Sequence, residues 1–205
     1  GAGGGGGGGV GGVSAPVRVV MALDDDELLT LLRHDSDSFN RWQAGQDLAM
    51  RMMRRAVLEQ NIDAMRPHAQ RYGDAVASII RHEGLNDPAY SAYLANLPSL
   101  SDVMRDIGKD IDPDAIQTAR SALRRAVAPA LADALHHVAL QFPDAESFSP
   151  DAANAGQRAL RAATLAMRIA ADAPGAMQDA ELLLAQADNL TLRDAALRAV
   201  MTEPG

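Results

Sequence analysis

The sequence contains no cysteine, so neither disulfides nor thiolate metal ligands are available to it, and a reducing compartment suits its composition. Aromatic residues are almost as scarce, at 3% with a single tryptophan, which excludes a core assembled around stacked rings. Positive charge is in deficit: 19 Lys and Arg against 27 Asp and Glu give a formal net charge of −8. Such a balance excludes the basic surface that nucleic-acid phosphates require. No apolar run approaches the roughly 20 residues that span a bilayer. The N-terminus lacks the basic start and apolar stretch of a secretory signal, and a cytoplasmic protein without membrane or nucleic-acid partners is expected.

What is present points one way. Hydrophobic residues make up 47% of the 205 positions, and Leu, Ala, Val, Ile and nine Met must supply the core. Ala, Leu and Met lose little on entering a helix, so an all-α protein with a sizeable core is expected.

Residues 1–12 are nearly all glycine, which offers no side chain to bury, and a disordered tail is expected there. A phosphate-binding loop would need a preceding strand, a following helix and usually a lysine, and none is here. Residues 13–23 carry the alternation of one short strand bounded by Pro16. Asp24 and Glu27 then form a capping box for a helix with Leu28, Leu31 and Leu32 on its apolar face, ending between His34 and Asp37. Ser38 is expected to cap a longer helix on which Trp42, Gly45, Ala49, Met53 and Ala56 or Val57 recur at spacings of three and four. Arg51, Arg54 and Arg55 fall on its other face as a solvated stripe. The junction from Leu31 to Met53 holds the only tryptophan, and it reads either as an aromatic plug in a core or as a domain boundary.

A third helix starts near Pro67, turns Tyr72, Val76, Ile79 and Ile80 inward and stops at Gly84. Asp87-Pro88, Asp112-Pro113 and Ser149-Pro150 mark further starts, giving helices near 88–95, 113–141 and 150–171. Between the first two lies a short helix closed by Gly108. Pro129 should kink or split the long helix, because it removes a donor and crowds the preceding turn. A final pair is expected at 177–187 and 191–201, the latter opened by Thr191 and Asp194. The fold expected is irregular stacked antiparallel helix pairs, an armadillo- or HEAT-like α-superhelix with one short N-terminal strand.

No complete catalytic constellation occurs. His82-Glu83 begins like H-E-x-x-H, whose two imidazoles one turn apart bind zinc, but Asn86 stands in the second histidine's place. His136 and His137 are adjacent and diverge by about 100° on a helix. His34 and Asp35 are junction polar groups unless a pocket encloses them, and His68 in a first turn is surface. No G-x-S-x-G elbow is present.

Several motifs, in order, carry a resemblance. They are V-S-A-P-V-R-V at Val13 to Val19, D-D-E-L-L-T-L-L-R-H-D-S-D-S-F-N-R-W-Q-A-G-Q at Asp25 to Gln46, L-P-S-L-S-D-V at Leu97 to Val103, I-D-P-D-A-I at Ile111 to Ile116 and D-N-L-T-L-R-D-A-A-L at Asp188 to Leu197. The series resembles bacterial aminopeptidase N, a family of zinc metallopeptidases of the gluzincin group. The resemblance implies that residues 13–23 are the remnant strand of a preceding β-sandwich domain and residues 24–205 an incomplete C-terminal helical domain. It also implies that H-E-x-x-H, the third zinc ligand and the G-x-M-E-N-type amine-binding motif belong to domains before the S-A-P-V strand. None of them occurs here, so no catalytic, cofactor-binding or metal residue is assigned, and zinc belongs to the parent enzyme. The implied partners are the parent's remaining domains, with peptides as substrates of the full enzyme. A free-standing helical-repeat interaction module is the alternative.

Overall fold

A computed structural model describes residues 23–108, 112–142 and 152–186, together with 193, 194 and 197. The strand expected at 13–23, the start at Ser149-Pro150 and the box at Thr191 lie wholly or mainly outside these residues.

Among the described residues the chain is helical throughout: α1 Asp25–His34, α2 Ser38–Leu58, a 3₁₀ turn Asp63–Met65, α3 Arg66–Glu83, α4 Pro88–Leu94, α5 Leu100–Ile107, α6 Pro113–Ala139, α7 Ala152–Ala170 and α8 Ala176–Gln186. The starts follow the local chemistry. Asp24 accepts from the Glu27 amide while Glu27 accepts from the Asp24 amide, at 2.8 and 2.7 Å. Asp87 and Asp112 cap α4 and α6 ahead of their first-turn prolines. α2 departs from expectation: Asp37, not Ser38, is its cap and accepts from the Phe39 and Asn40 amides. A carboxylate is the stronger acceptor and suits the positive end of the helix.

α6 is the centre of the molecule, packing most extensively on α3 and α7 and also on α2 and α5. α1 lies on α2, while α4 rests on α7 rather than mainly on its sequence neighbour α3. One continuous core results, filled by Leu, Ile, Val, Ala and Met, with Tyr72 the only aromatic side chain buried in it among the described residues. Leu28, Leu29 and Leu32 form the inward face of α1, with Leu31 only partly covered. A smaller cluster of Leu165, Ile169, Ala176 and Ala180 joins α7 to α8.

Pro129 does not split α6, which runs unbroken over 27 residues. Its ring is on the exposed side, where water can satisfy the carbonyl that a missing N–H leaves free. Gly84 also differs from a left-handed glycine cap, having helical φ and ψ of −62° and −26°. Its missing side chain is what matters, because a Cβ there would lie 2.6 Å from the Ile80 carbonyl oxygen and 2.9 Å from Val138 Cγ1.

Gly45 is the counter-case. A Cβ at that position would meet Leu32 Cδ1 at 3.4 Å and Tyr72 Cε2 at 3.6 Å, ordinary contact distances. Gly45→Ala should therefore stabilise the chain by about 0.5–1 kcal/mol, since a helix-interior glycine gives up backbone entropy that alanine does not. A lower urea midpoint for the variant would show that α1 and α3 sit closer to α2 than these distances state.

Candidate functional site

Three polar regions stand out on the helical surface. The first surrounds the start of α1. Arg51 donates to the Leu23 carbonyl at 2.5 Å and to Asp25 at 3.3 Å, Arg55 donates to Asp25 at 3.2 Å, and Arg71 to Asp26 at 2.8 Å. With Asp24 and His68 these residues line an open cleft of about 470 Å³. The basic cluster of α2 is thus not a free solvated stripe: Arg51 and Arg55 clamp α1, and Arg54 reaches Asp106 of α5 at 3.8 Å. Every cation here has a carboxylate partner, so the cleft has no surplus charge with which to hold an anion.

The second is a groove of about 270 Å³ between α1 and α3, lined by Arg33, His34, Asp74, Ser78, His82 and Glu83 among others. It brings His34 and His82 to one groove, a proximity that their separation in sequence conceals. His82 and Asp35, the neighbour of His34, are committed locally, however. His82 Nδ1 donates to the Ser78 carbonyl at 2.7 Å, and Asp35 accepts from the Asp37 amide at 2.7 Å. No group of three or more His, Asp or Glu that could hold a metal exists among the described residues. The residues present do not fit zinc: Glu83, the one carboxylate beside His82 in sequence, has both oxygens engaged by Arg41. His136 is half-buried, and His137 and His68 are exposed.

The third region forms at the α1–α2 junction, and sequence spacing missed it. Arg41 and Glu83 make a two-pronged ion pair at 2.7 and 2.5 Å. The guanidinium carbon lies 5.6 Å from the centre of the Tyr90 ring, and the Tyr90 hydroxyl donates to the Ser38 carbonyl at 2.8 Å. The pair therefore ties α2 to α3, and Tyr90 ties α4 to α2. Next to it Trp42 stacks on Tyr93 with ring centres 4.8 Å apart and an interplanar angle of 20°, while Phe39 leans on its other side at 5.7 Å. Trp42 covers the edge of the core rather than filling it: it is half-buried and packed against the main cluster, with Phe39 64% and Tyr93 48% exposed beside it. Arg41 Nε and Trp42 Nε1 are buried and have no acceptor among the described residues.

Electrostatics at this junction follow from the pair. The Arg41 hydrogen bonds hold Glu83 below the ordinary glutamate value of 4.5, and Glu83 in turn keeps Arg41 charged despite partial burial. Burial pushes the Tyr90 hydroxyl up. Because Glu83 titrates lower in the folded than in the unfolded chain, the pair's contribution is complete above 4.5 and is lost as pH falls through the depressed value. With the Glu83 side chain 42% exposed, solvent screening limits the effect. Glu83→Gln should cost about 1–2 kcal/mol at neutral pH. The gap between variant and parent should close as the pH is lowered below 4.5 and through the depressed Glu83 value. Urea unfolding across that range tests this; a gap that stays constant would assign the stabilisation to packing rather than charge.

Comparison with known proteins gives these features a setting. Among solved structures the fold is similar to aminopeptidase A of Legionella pneumophila, solved in complex with aspartic acid, with a TM-score of 0.70 and 20% identity over 87% of this chain and 21% of that one. At that identity the likeness is one of fold. In sequence the chain is 35% identical over 152 residues to aminopeptidase N of Caulobacter vibrioides, covering 73% of this chain and 17% of that protein. The chain thus spans about a fifth of the length of the relatives it matches. A family described as a domain of unknown function (DUF3458_C) with ARM repeats matches residues 25–205. That match covers every described helix from α1 onward, and the chain accordingly belongs to the DUF3458_C family of ARM repeats, the C-terminal helical domain of the aminopeptidase N kind of enzyme.

Proposed function

We propose that this chain serves as scaffold and chamber wall in a zinc-dependent aminopeptidase that removes N-terminal amino acids from peptides. The chemistry, the zinc and the recognition of the substrate's amino group are supplied by other parts of that polypeptide. Residues 24–205 are the helical domain on this reading, residues 13–23 the last strand of a preceding domain and residues 1–12 a glycine-rich lead-in, and the whole enzyme is cytoplasmic.

The observation that carries the proposal is one of proportion. An aminopeptidase N matches this chain along 73% of its length, yet the chain corresponds to only 17% of that protein. Within that share, several polar side chains that could do chemistry are already engaged: Glu83 on Arg41 and Asp25 on Arg51 and Arg55 fasten helices together, and His82 is held by the Ser78 carbonyl one turn back in α3. Such a segment contributes shape.

Two measurements test it. Incubated with zinc and peptides, the isolated chain should release no N-terminal amino acids, and chelator-sensitive release would overturn the proposal. The coding DNA upstream of the glycine tract should continue in frame into an H-E-x-x-H region. A start codon at the tract with no such region would instead favour a free-standing interaction module.

A further inference from the structure

Arg120 is a half-buried cation that the fold leaves without a carboxylate. It stands on α6, and its Nε donates to the Pro98 carbonyl at 2.8 Å, just ahead of α5. We propose that the outer edge of this guanidinium is a binding site for one oxyanion, the carboxylate or phosphate group of a small ligand.

Charge distribution is the first argument. The chain as a whole carries 27 acids against 19 Lys and Arg, yet from Ala115 to Ala132 α6 carries Arg120, Arg124 and Arg125 and no Asp or Glu. The segment from Ala95 to Ser99, which approaches Arg120, is uncharged. Acids of the neighbouring α5 are engaged elsewhere: Asp102 with Arg105 and the Ser99 hydroxyl, Asp106 with Arg54. Arg41 and Arg168, whose side chains are also largely covered, each hold a carboxylate, Glu83 and Asp179. Arg120 has no such partner among the described residues, and burial lowers its pKa with nothing to offset the cost. A charge taken partly out of water is normally paired, so this one calls for an anion from outside the chain.

Geometry is the second argument. The bond from Nε to Pro98 fixes the plane of the guanidinium and leaves its two terminal nitrogens side by side, the edge that receives two oxygens of a carboxylate or phosphate at once. A ligand can reach that edge. The unpaired side-chain nitrogens that are closed to solvent are Arg41 Nε, Trp42 Nε1 and Arg124 Nε, and the terminal nitrogens of Arg120 are not among them. The cleft at the start of α1 differs in this respect, because its arginines already have carboxylates. One guanidinium on a chain of net charge −8 suits a single anionic group and not a polyanion such as nucleic acid.

Melting temperatures of this chain and of Arg120→Gln, in sodium phosphate, sodium succinate and sodium chloride at equal ionic strength, test the site. Glutamine keeps a donor for the Pro98 carbonyl and removes the charge. Phosphate stabilises proteins in general by exclusion from their surfaces, so the reading is the difference between parent and variant. In 50 mM phosphate or succinate the parent should gain about 2 °C or more over its value in chloride beyond what the variant gains. A gain in succinate alone would assign the site to carboxylates, and a gain in phosphate alone to phosphate groups. Equal gains in parent and variant in both salts would overturn the proposal and leave Arg120 as a fastening for Pro98. Nitrogen-15 spectra of the arginine Nε–H groups give a second reading on the parent, which serves even if the variant does not fold. One signal should move progressively and saturably as phosphate or succinate is added and stay in place with chloride; signals that move alike in all three salts would overturn the site.

Discussion

Replacing Gly84 by alanine should destabilise the chain by about 2–4 kcal/mol, the effect of one added methyl group. The position carries no demand on φ, which at −62° suits any residue. The cost comes from space. The new Cβ would sit 2.6 Å from the Ile80 carbonyl oxygen on its own side and between 2.9 and 3.0 Å from both Val138 methyl carbons on the other. Relief requires the end of α3 to move away from α6, and this is the most extensive helix pairing among the described residues. Moving it also strains the hydrogen bond from the Gly84 amide to the Ile80 carbonyl, 2.8 Å long. Adding Val138→Ala should recover only part of the loss, because it frees the side-chain contacts and leaves the carbonyl in place. Urea unfolding followed by circular dichroism measures both. A single variant as stable as the parent would mean that α3 and α6 are not packed at this distance in solution.

A second large effect is expected at the middle of the core. Leu135 on α6 is wholly buried, as are Leu123 and Leu131 on the same helix. Leu135→Ala should lower stability by about 3–4 kcal/mol through lost transfer energy and the cavity left behind. For a domain of this size that corresponds to a fall of roughly 6–15 °C in melting temperature. The surrounding side chains are mainly small aliphatic ones fixed on rigid helices, so little collapse into the space is available. Leu140, five residues further on and 68% exposed, provides the comparison. Leu140→Ala should stay within about 0.5 kcal/mol of the parent. Similar losses at both positions would contradict the placement of α6 at the centre.

The two leucines also show how much of the fold was legible in sequence. Inward faces of α2 and α3 follow from spacing alone: Gly45, Ala49, Met53 and Ala56, then Tyr72, Val76, Ile79 and Ile80, are all buried. Helix starts at Asp24, Asp87 and Asp112 were equally readable, because a cap and the amides it serves lie within three residues of one another. Errors arose where two local signals competed or where the answer lay across the fold. Ser38 and Asp37 are both good caps, and only the path of the chain selected Asp37. Pro129 is a breaker by every local rule, yet its exposed position on α6 lets the helix run through.

The candidate site was less legible than the fold. Arg41 and Glu83 are 42 residues apart, and Arg51 and Asp25 are 26 apart, so no spacing rule joins them. His82-Glu83 looked like the opening of a metal motif because sequence shows residue types and not what their lone pairs already hold. A usable signal did exist for the aromatic surface. In a chain so poor in rings, Phe39, Trp42, Tyr90 and Tyr93 lie on α2 and α4, two helices whose buried residues are otherwise aliphatic or small.

By itself the sequence determined the helical class, most of the helix starts, the inward faces and, through its ordered motifs, the family. All of these depend on interactions within a few residues or on patterns that composition preserves. Only the tertiary structure decided that α6 is the hub, that Gly84 is required for a close approach and not for a turn, and that the arginines of α2 are clamps. It also decided that Trp42 lies at the surface beside unpaired donors. Each of those is set by residues from distant helices meeting in space, at distances where a few tenths of an ångström separate contact from clash.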